Sequence, residues 1–318
     1  MDRRRLMGIA LAAASAIGYG SGPLFAKGVY AAGVDWLGLL AWRFLVAAIL
    51  SWAWLLLSDR WALRRLDRRR SAALVGLGAF FILNAGTYYA ALETVPASLA
   101  SLIVYMYPAL VAVLTIRFGR TLDGRRPWIA LAIVTTGVAL TIGGIEAGTV
   151  DPVGLALAIA SPLIYSVYII VSARLAGERR GVTATDRAGG AEVPPAVAAA
   201  VMLTSTAGVT WLVAIAHGGE PLVPSAVPAE AWPGLLGIAI LSTALAIQAF
   251  YSASARIGAA QTALVSTVEP VWTITMATLF FGEHLSPVQL IGGALVIGGV
   301  ILAQTTPGTV PDVVVEEA

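Results

Sequence analysis

The chain has 318 residues, of which 58% are hydrophobic and only 12% charged, with a net charge of +2 and a mean hydropathy of +0.84. Soluble domains carry about 25% charged and 45–50% apolar residues. No soluble fold of this size has interior enough to hide such an excess, which excludes a secreted enzyme, a nucleic-acid binder and a disordered chain. With no cysteine, disulfides, iron–sulfur clusters and thiolate zinc sites are excluded as well.

A membrane helix needs about 20 mostly apolar residues. In chain order the apolar runs fall at 6–26, 36–58, 71–92, 96–116, 127–145, 152–173, 194–216, 232–254, 259–281 and 286–305. They read as ten transmembrane helices of an all-α integral membrane protein. The runs are too long for barrel strands and do not alternate. The first follows Arg3-Arg4-Arg5. At about 21 residues it exceeds the 7–15 of a signal-peptide core, so it reads as a retained helix. The second contains Arg43 and the ninth Glu269, while the other eight are free of charge.

Lysine and arginine set the orientation. With the amino terminus inside, the tail and the even-numbered connections hold all 20 basic residues except Lys27, in an outer loop, and Arg43, inside a span. Both termini are therefore expected in the cytoplasm. The connection near 175–193 divides the chain into halves at 7–145 and 152–305, and 306–318 reads as a flexible cytoplasmic tail. Lys27 is the single lysine, a usage that suggests a GC-rich bacterial genome.

Five helices per half is an odd number, so a duplicated unit would sit upside down against its copy. At a shift of 146, Gly8, Ser15 and Tyr19 match Gly154, Ser161 and Tyr165. At a shift of 162, Tyr89, Ala97 and Pro108 match Tyr251, Ala259 and Pro270.

The stretches Val268-Glu269-Pro270-Val271, Phe281-Gly282-Glu283-His284-Leu285-Ser286 and Gln289-Leu290-Ile291-Gly292-Gly293-Ala294-Leu295 resemble the second half of EamA-domain proteins of the drug/metabolite transporter superfamily. Ala41-Trp42-Arg43-Phe44 resembles that family's first repeat. The likeness covers about 7–305. It implies two inverted five-helix repeats around a central cavity and movement of small metabolites by alternating access. Two departures stand out: Tyr107-Pro108 replaces the Glu269-Pro270 pair, and Arg120-Thr121 stands where Gly282-Glu283 would align.

Glu269 lies midway through its span. A central acid costs about 2.5–3.5 kcal/mol on insertion scales. The cost falls when the group is protonated, wetted or paired, so it is the candidate for proton coupling. The bland alternative is a neutral glutamic acid joining two helices. Pro270 and Pro108 are expected to kink their helices, each freeing a carbonyl one turn back. Arg43 is expected to snorkel to the interface, to pair with Glu269 or to attract a carboxylate substrate. Asn84 and Gln248 are midspan amides suited to a polar solute or to helix joining. Tyr88, Tyr105, Tyr165 and Trp272 are candidate walls of the cavity. No catalytic, metal or cofactor motif occurs. The partners expected are a small-molecule substrate and the lipid bilayer, with no nucleic acid and no obligate protein partner. The resulting expectation is a non-enzyme: a multi-pass inner-membrane secondary transporter, an exporter of amino acids or amphiphilic compounds. A gradient-independent facilitator and a membrane-embedded enzyme are the alternatives.

Overall fold

The computed structural model describes residues 3–59, 66–117, 125–144, 150–175, 195–218 and 223–304. Among these the chain is helical, without strands. In order the helices are α1 (Arg3–Ala31), α2 (Trp36–Asp59), α3 (Arg68–Thr94), α4 (Ala97–Val104), α5 (Tyr107–Arg117), α6 (Arg126–Gly143), α7 (Pro152–Leu175), α8 (Pro195–Ala216), α9 (Trp232–Ala239), α10 (Ala246–Ile257), α11 (Ala259–Ser266), α12 (Val268–Phe281) and α13 (Pro287–Gln304). A wide π turn, Ile240–Leu245, joins α9 to α10.

Seven helical stretches are long and apolar enough to cross a membrane, and three shorter apolar ones accompany them: Ala97–Val111, Trp128–Gly143 and Pro287–Leu302. The shorter three coincide with the fourth, fifth and tenth runs of the sequence. The fourth is interrupted at Tyr105-Met106, between α4 and α5, and the ninth at Thr267, between α11 and α12. Each interruption precedes a proline by three residues, and a shift of 162 superimposes the pairs Tyr105/Pro108 and Thr267/Pro270. Proline has no N–H to give the carbonyl four residues back, and its ring crowds that carbonyl, so the ladder opens there.

Small residues set the packing. A Cβ on Gly137 of α6 would lie 2.6 Å from the Gly292 carbonyl oxygen and 2.8 Å from the Val296 nitrogen of α13. These two backbones touch because both helices carry glycine at the crossing. The helix pairs α3–α7 and α1–α10 are in contact, as are α1–α12 and the α4/α5–α7 pair. Exchanging the halves of the chain turns each of these pairings into its companion and returns α2–α8 and α6–α13 to themselves.

Side chains close several helix ends. The Glu93 carboxylate accepts the Trp36 N–H at 2.7 Å at the start of α2. The Glu283 carboxylate accepts the N–H groups of Ala97 and Ser98, both at 2.8 Å, and the Ser98 hydroxyl at 2.7 Å. That carboxylate supplies the N-terminus of α4 with the acceptor that Pro96 lacks.

One expectation is corrected. Lys27, read as a loop residue, lies within α1, and its ammonium donates to the Val95 carbonyl at 2.8 Å. A helix does not stop at a charge that finds an acceptor. Before α9 stand short 3-10 turns at Pro224–Ala226 and Ala229–Ala231, with Val227 and Ala231 buried in the core. The 306–318 tail, Arg120-Thr121 and nearly all of the long central connection lie outside the described residues.

Candidate functional site

The two helix interruptions face each other. Pro270 deprives the Ser266 carbonyl of its helical donor, and the Tyr105 hydroxyl takes that place at 2.8 Å. The same hydroxyl stands 3.0 Å from the Glu269 carboxylate, and Tyr105 is only 5% exposed. A phenol carries one proton, yet its oxygen here has two oxygen neighbours. When Glu269 is ionised, the phenol proton must be shared between carboxylate and carbonyl. When Glu269 is protonated, it donates to the phenol oxygen and the phenol donates to Ser266, so both bonds are made in full. The proton on Glu269 and the closure of the two interruptions are thus chemically linked.

Glu269 itself is half-buried, in the first turn of α12. Around it is a ring of tyrosines from both halves of the chain. Tyr19, Tyr88, Tyr89, Tyr105, Tyr107 and Tyr165 are all within its electrostatic reach. The Tyr107 and Tyr165 rings meet edge-on at 4.8 Å, and Tyr165 stacks along Tyr168 at 6.1 Å. Helix α1 approaches closely because Gly20 has no side chain. A Cβ there would lie 2.9 Å from both the Glu269 carbonyl oxygen and the Thr273 hydroxyl. Thr273 donates to the Gly20 carbonyl at 2.8 Å.

Arg43 is held by other partners. It is 7% exposed, its Nε donates to the Thr243 hydroxyl at 2.9 Å, and its guanidinium carbon lies 4.7 Å from the Tyr89 ring centre and 5.1 Å from that of Phe44. It forms no ion pair with Glu269.

The other sequence candidates divide. Tyr88 and Tyr165 join the ring around Glu269. Asn84 is half-buried and accepts from Ser161 at 3.0 Å, which ties α3 to α7. Trp272 donates to Ser21 at 3.0 Å, which ties α12 to α1. Gln248 is half-buried on α10. Sequence reasoning passed over Tyr19 and Tyr107 as site residues. Both had a signal, since Tyr19 aligns with Tyr165 across the repeat and Tyr107 stands where the second half has Glu269. Ser242 and Thr243 carried none.

A bundle of apolar helices whose buried polar groups converge from both halves belongs to the class of polytopic helical membrane transporters. The model of the EamA-like transporter family matches the chain twice, at residues 6–143 and 152–305, and the chain belongs to that family, within the drug/metabolite transporters. It is similar to the threonine/homoserine exporter RhtA of Escherichia coli K12, 28% identical over 250 residues, 76% of this chain and 72% of that protein. It is also similar to the uncharacterized inner membrane transporter YedA of the same organism, 26% identical over 270 residues, 82% of this chain and 78% of that one. An uncharacterized transporter of Archaeoglobus fulgidus is 23% identical over 235 residues, 74% of this chain and 77% of that one. A solved crystal structure shares the fold at 22% identity, with a TM-score of 0.61 over 93% of this chain and 96% of its own. The family and these relatives point to a transporter rather than an enzyme.

Proposed function

We propose that this chain is a proton-coupled secondary exporter of small organic metabolites, amino acids or amphiphilic compounds. It works by alternating access in a bacterial inner membrane. Ten spans form two inverted five-helix repeats, 7–145 and 152–305, with both termini cytoplasmic. The contact set that survives exchange of the halves supports the repeat arrangement, since such symmetry makes inward and outward states close in energy. The distribution of arginine supports the orientation. The exporter relative supports the direction and the solute class.

The observation that carries proton coupling is the Tyr105 hydroxyl held between Ser266 and Glu269. Loading a proton on Glu269 completes the bridge between the interrupted helices α4/α5 and α11/α12. Releasing it leaves one hydroxyl divided between two acceptors and favours the alternative arrangement. Tyr88, Tyr105 and Tyr165 line the solute path beside Glu269, while Arg43 and Gln248 meet the solute's polar groups. Pro108 and Pro270 keep the two helices divided where they must flex. Asn84 and Trp272 hold the repeats together through Ser161 and Ser21.

Flux in proteoliposomes tests this. Labelled amino acids and cationic drugs are followed with and without a pH gradient, for wild type and Glu269→Gln. The expected result is gradient-driven accumulation in wild type and its loss in the variant. Equal, gradient-insensitive flux in both makes the protein a facilitator and Glu269 a structural residue.

A further inference from the structure

Arg43 has a partner for Nε but none for Nη1, which is buried. A guanidinium presents five N–H donors, and a buried donor left unmade carries the full cost of its lost hydration. Among the described residues no carboxylate pairs with it. Its neighbours are the faces of Tyr89 and Phe44 and the Thr243 hydroxyl. These soften the charge without neutralising it.

A second buried polar atom is orphaned beside it. Ser242 is 1% exposed and its hydroxyl has no partner. It belongs to the same π turn as Thr243, which is held by the Thr243 hydroxyl donating to the Ile238 carbonyl at 2.9 Å. Tyr89 completes the group, its ring centre 4.7 Å from the guanidinium carbon. Gly22 makes the room. The point where its Cβ would stand is 2.8 Å from the Tyr89 hydroxyl oxygen and 3.7 Å from that of Ser242. Two hydroxyls and a half-satisfied cation thus converge from three helical segments over a glycine.

We infer that Arg43, Ser242 and Tyr89 form an anion subsite that takes the carboxylate of the transported solute. This deepens the transport reading, restricting the solutes to carboxylate-bearing compounds, and it rests on that reading. The planar fork of arginine matches the two oxygens of a carboxylate, and the hydroxyls offer further donors. The atoms are occluded in this conformation. The solute reaches them when the π turn withdraws from α2, and π turns within helices are frequent at functional sites. Tyr88 and Tyr89 lie within electrostatic reach of both Arg43 and Glu269.

The test uses the full chain in lipid nanodiscs, with L-threonine, L-threoninamide, acetate and chloride as probes. Binding is read by titration and by the unfolding midpoint. L-threonine and acetate should raise the wild-type midpoint and L-threoninamide should not. Arg43→Gln should weaken carboxylate binding by about tenfold or more, as expected for loss of a charge-assisted pair. Ser242→Ala, which changes one buried oxygen and keeps the fold, should weaken it by a smaller factor. The subsite is overturned if no carboxylate shifts wild type, if acid and amide act alike, if chloride reproduces the whole effect, or if both variants keep the discrimination. Counterflow in proteoliposomes separates the two readings. Flux that accepts acid and amide equally overturns the subsite and leaves transport standing, whereas discrimination in binding without any flux overturns transport and leaves the subsite.

Discussion

Replacing Tyr105 with phenylalanine removes one oxygen and unmakes two bonds. The Ser266 carbonyl, already deprived by Pro270, then has no donor, and Glu269 loses its phenol. A buried acceptor left bare costs about 1–3 kcal/mol. The expected outcome is a lower unfolding midpoint and a flux that loses its response to the pH gradient. Thr243→Val is a sharper test of what Arg43 leans on. It strips the guanidinium of its Nε acceptor and the Ile238 carbonyl of the hydroxyl donor while preserving shape. A hydrogen bond to a charged group is worth about 1.5–3 kcal/mol, so a loss in that range is expected from chemical unfolding. At this scale the sequence was informative about Glu269 and uninformative about Thr243. A lone acid in an apolar span is conspicuous because it is costly, whereas threonines are common in spans and mark nothing until a charge is seen against one.

Among the helices, the α6–α13 crossing is the place where one added side chain has the largest reach. Gly137→Leu must drive a branched side chain into the Gly292 carbonyl and the Val296 backbone, neither of which can turn aside. Overpacking of this kind costs about 1–3 kcal/mol, and more where backbone must move. The same change at Gly28, whose Cβ would meet nothing within 4 Å, should be silent, which gives a matched control by thermal unfolding. Glu283→Ala removes the acceptor at the start of α4 and should cost about 1–2 kcal/mol, with partial recovery in Glu283→Gln. The Gly-Glu motif was visible as a family mark in the sequence. That its carboxylate caps a helix more than 180 residues away was not, because capping depends on which helix end arrives there.

The absence of cysteine in the whole chain makes its topology directly measurable. A membrane-impermeant maleimide added to intact cells should label Ser225→Cys, on the connection placed outside, and spare Arg69→Cys, in the first turn of α3 at the end placed inside. Both positions are exposed on the molecule. Equal labelling of the two would reject the ten-span arrangement, since one extra or missing span reverses every later connection.

Composition, the spacing of charges and two shifted matches were enough for the membrane class, the helical fold and the duplication. These depend on one-dimensional properties: the length of apolar runs, where arginine is allowed, and which residues recur at a fixed distance. The positions of the helix interruptions were also implicit, because proline acts on its own backbone. Other features arose only from tertiary structure. Tyr105 reaches Ser266 and Glu269 across more than 160 residues. Arg43 meets Thr243 across 200. Lys27 stays helical because Val95 is there to receive it. Such pairings are decided by how helices cross, and crossings are set by the joint fit of whole surfaces, glycine against backbone, which no single segment encodes.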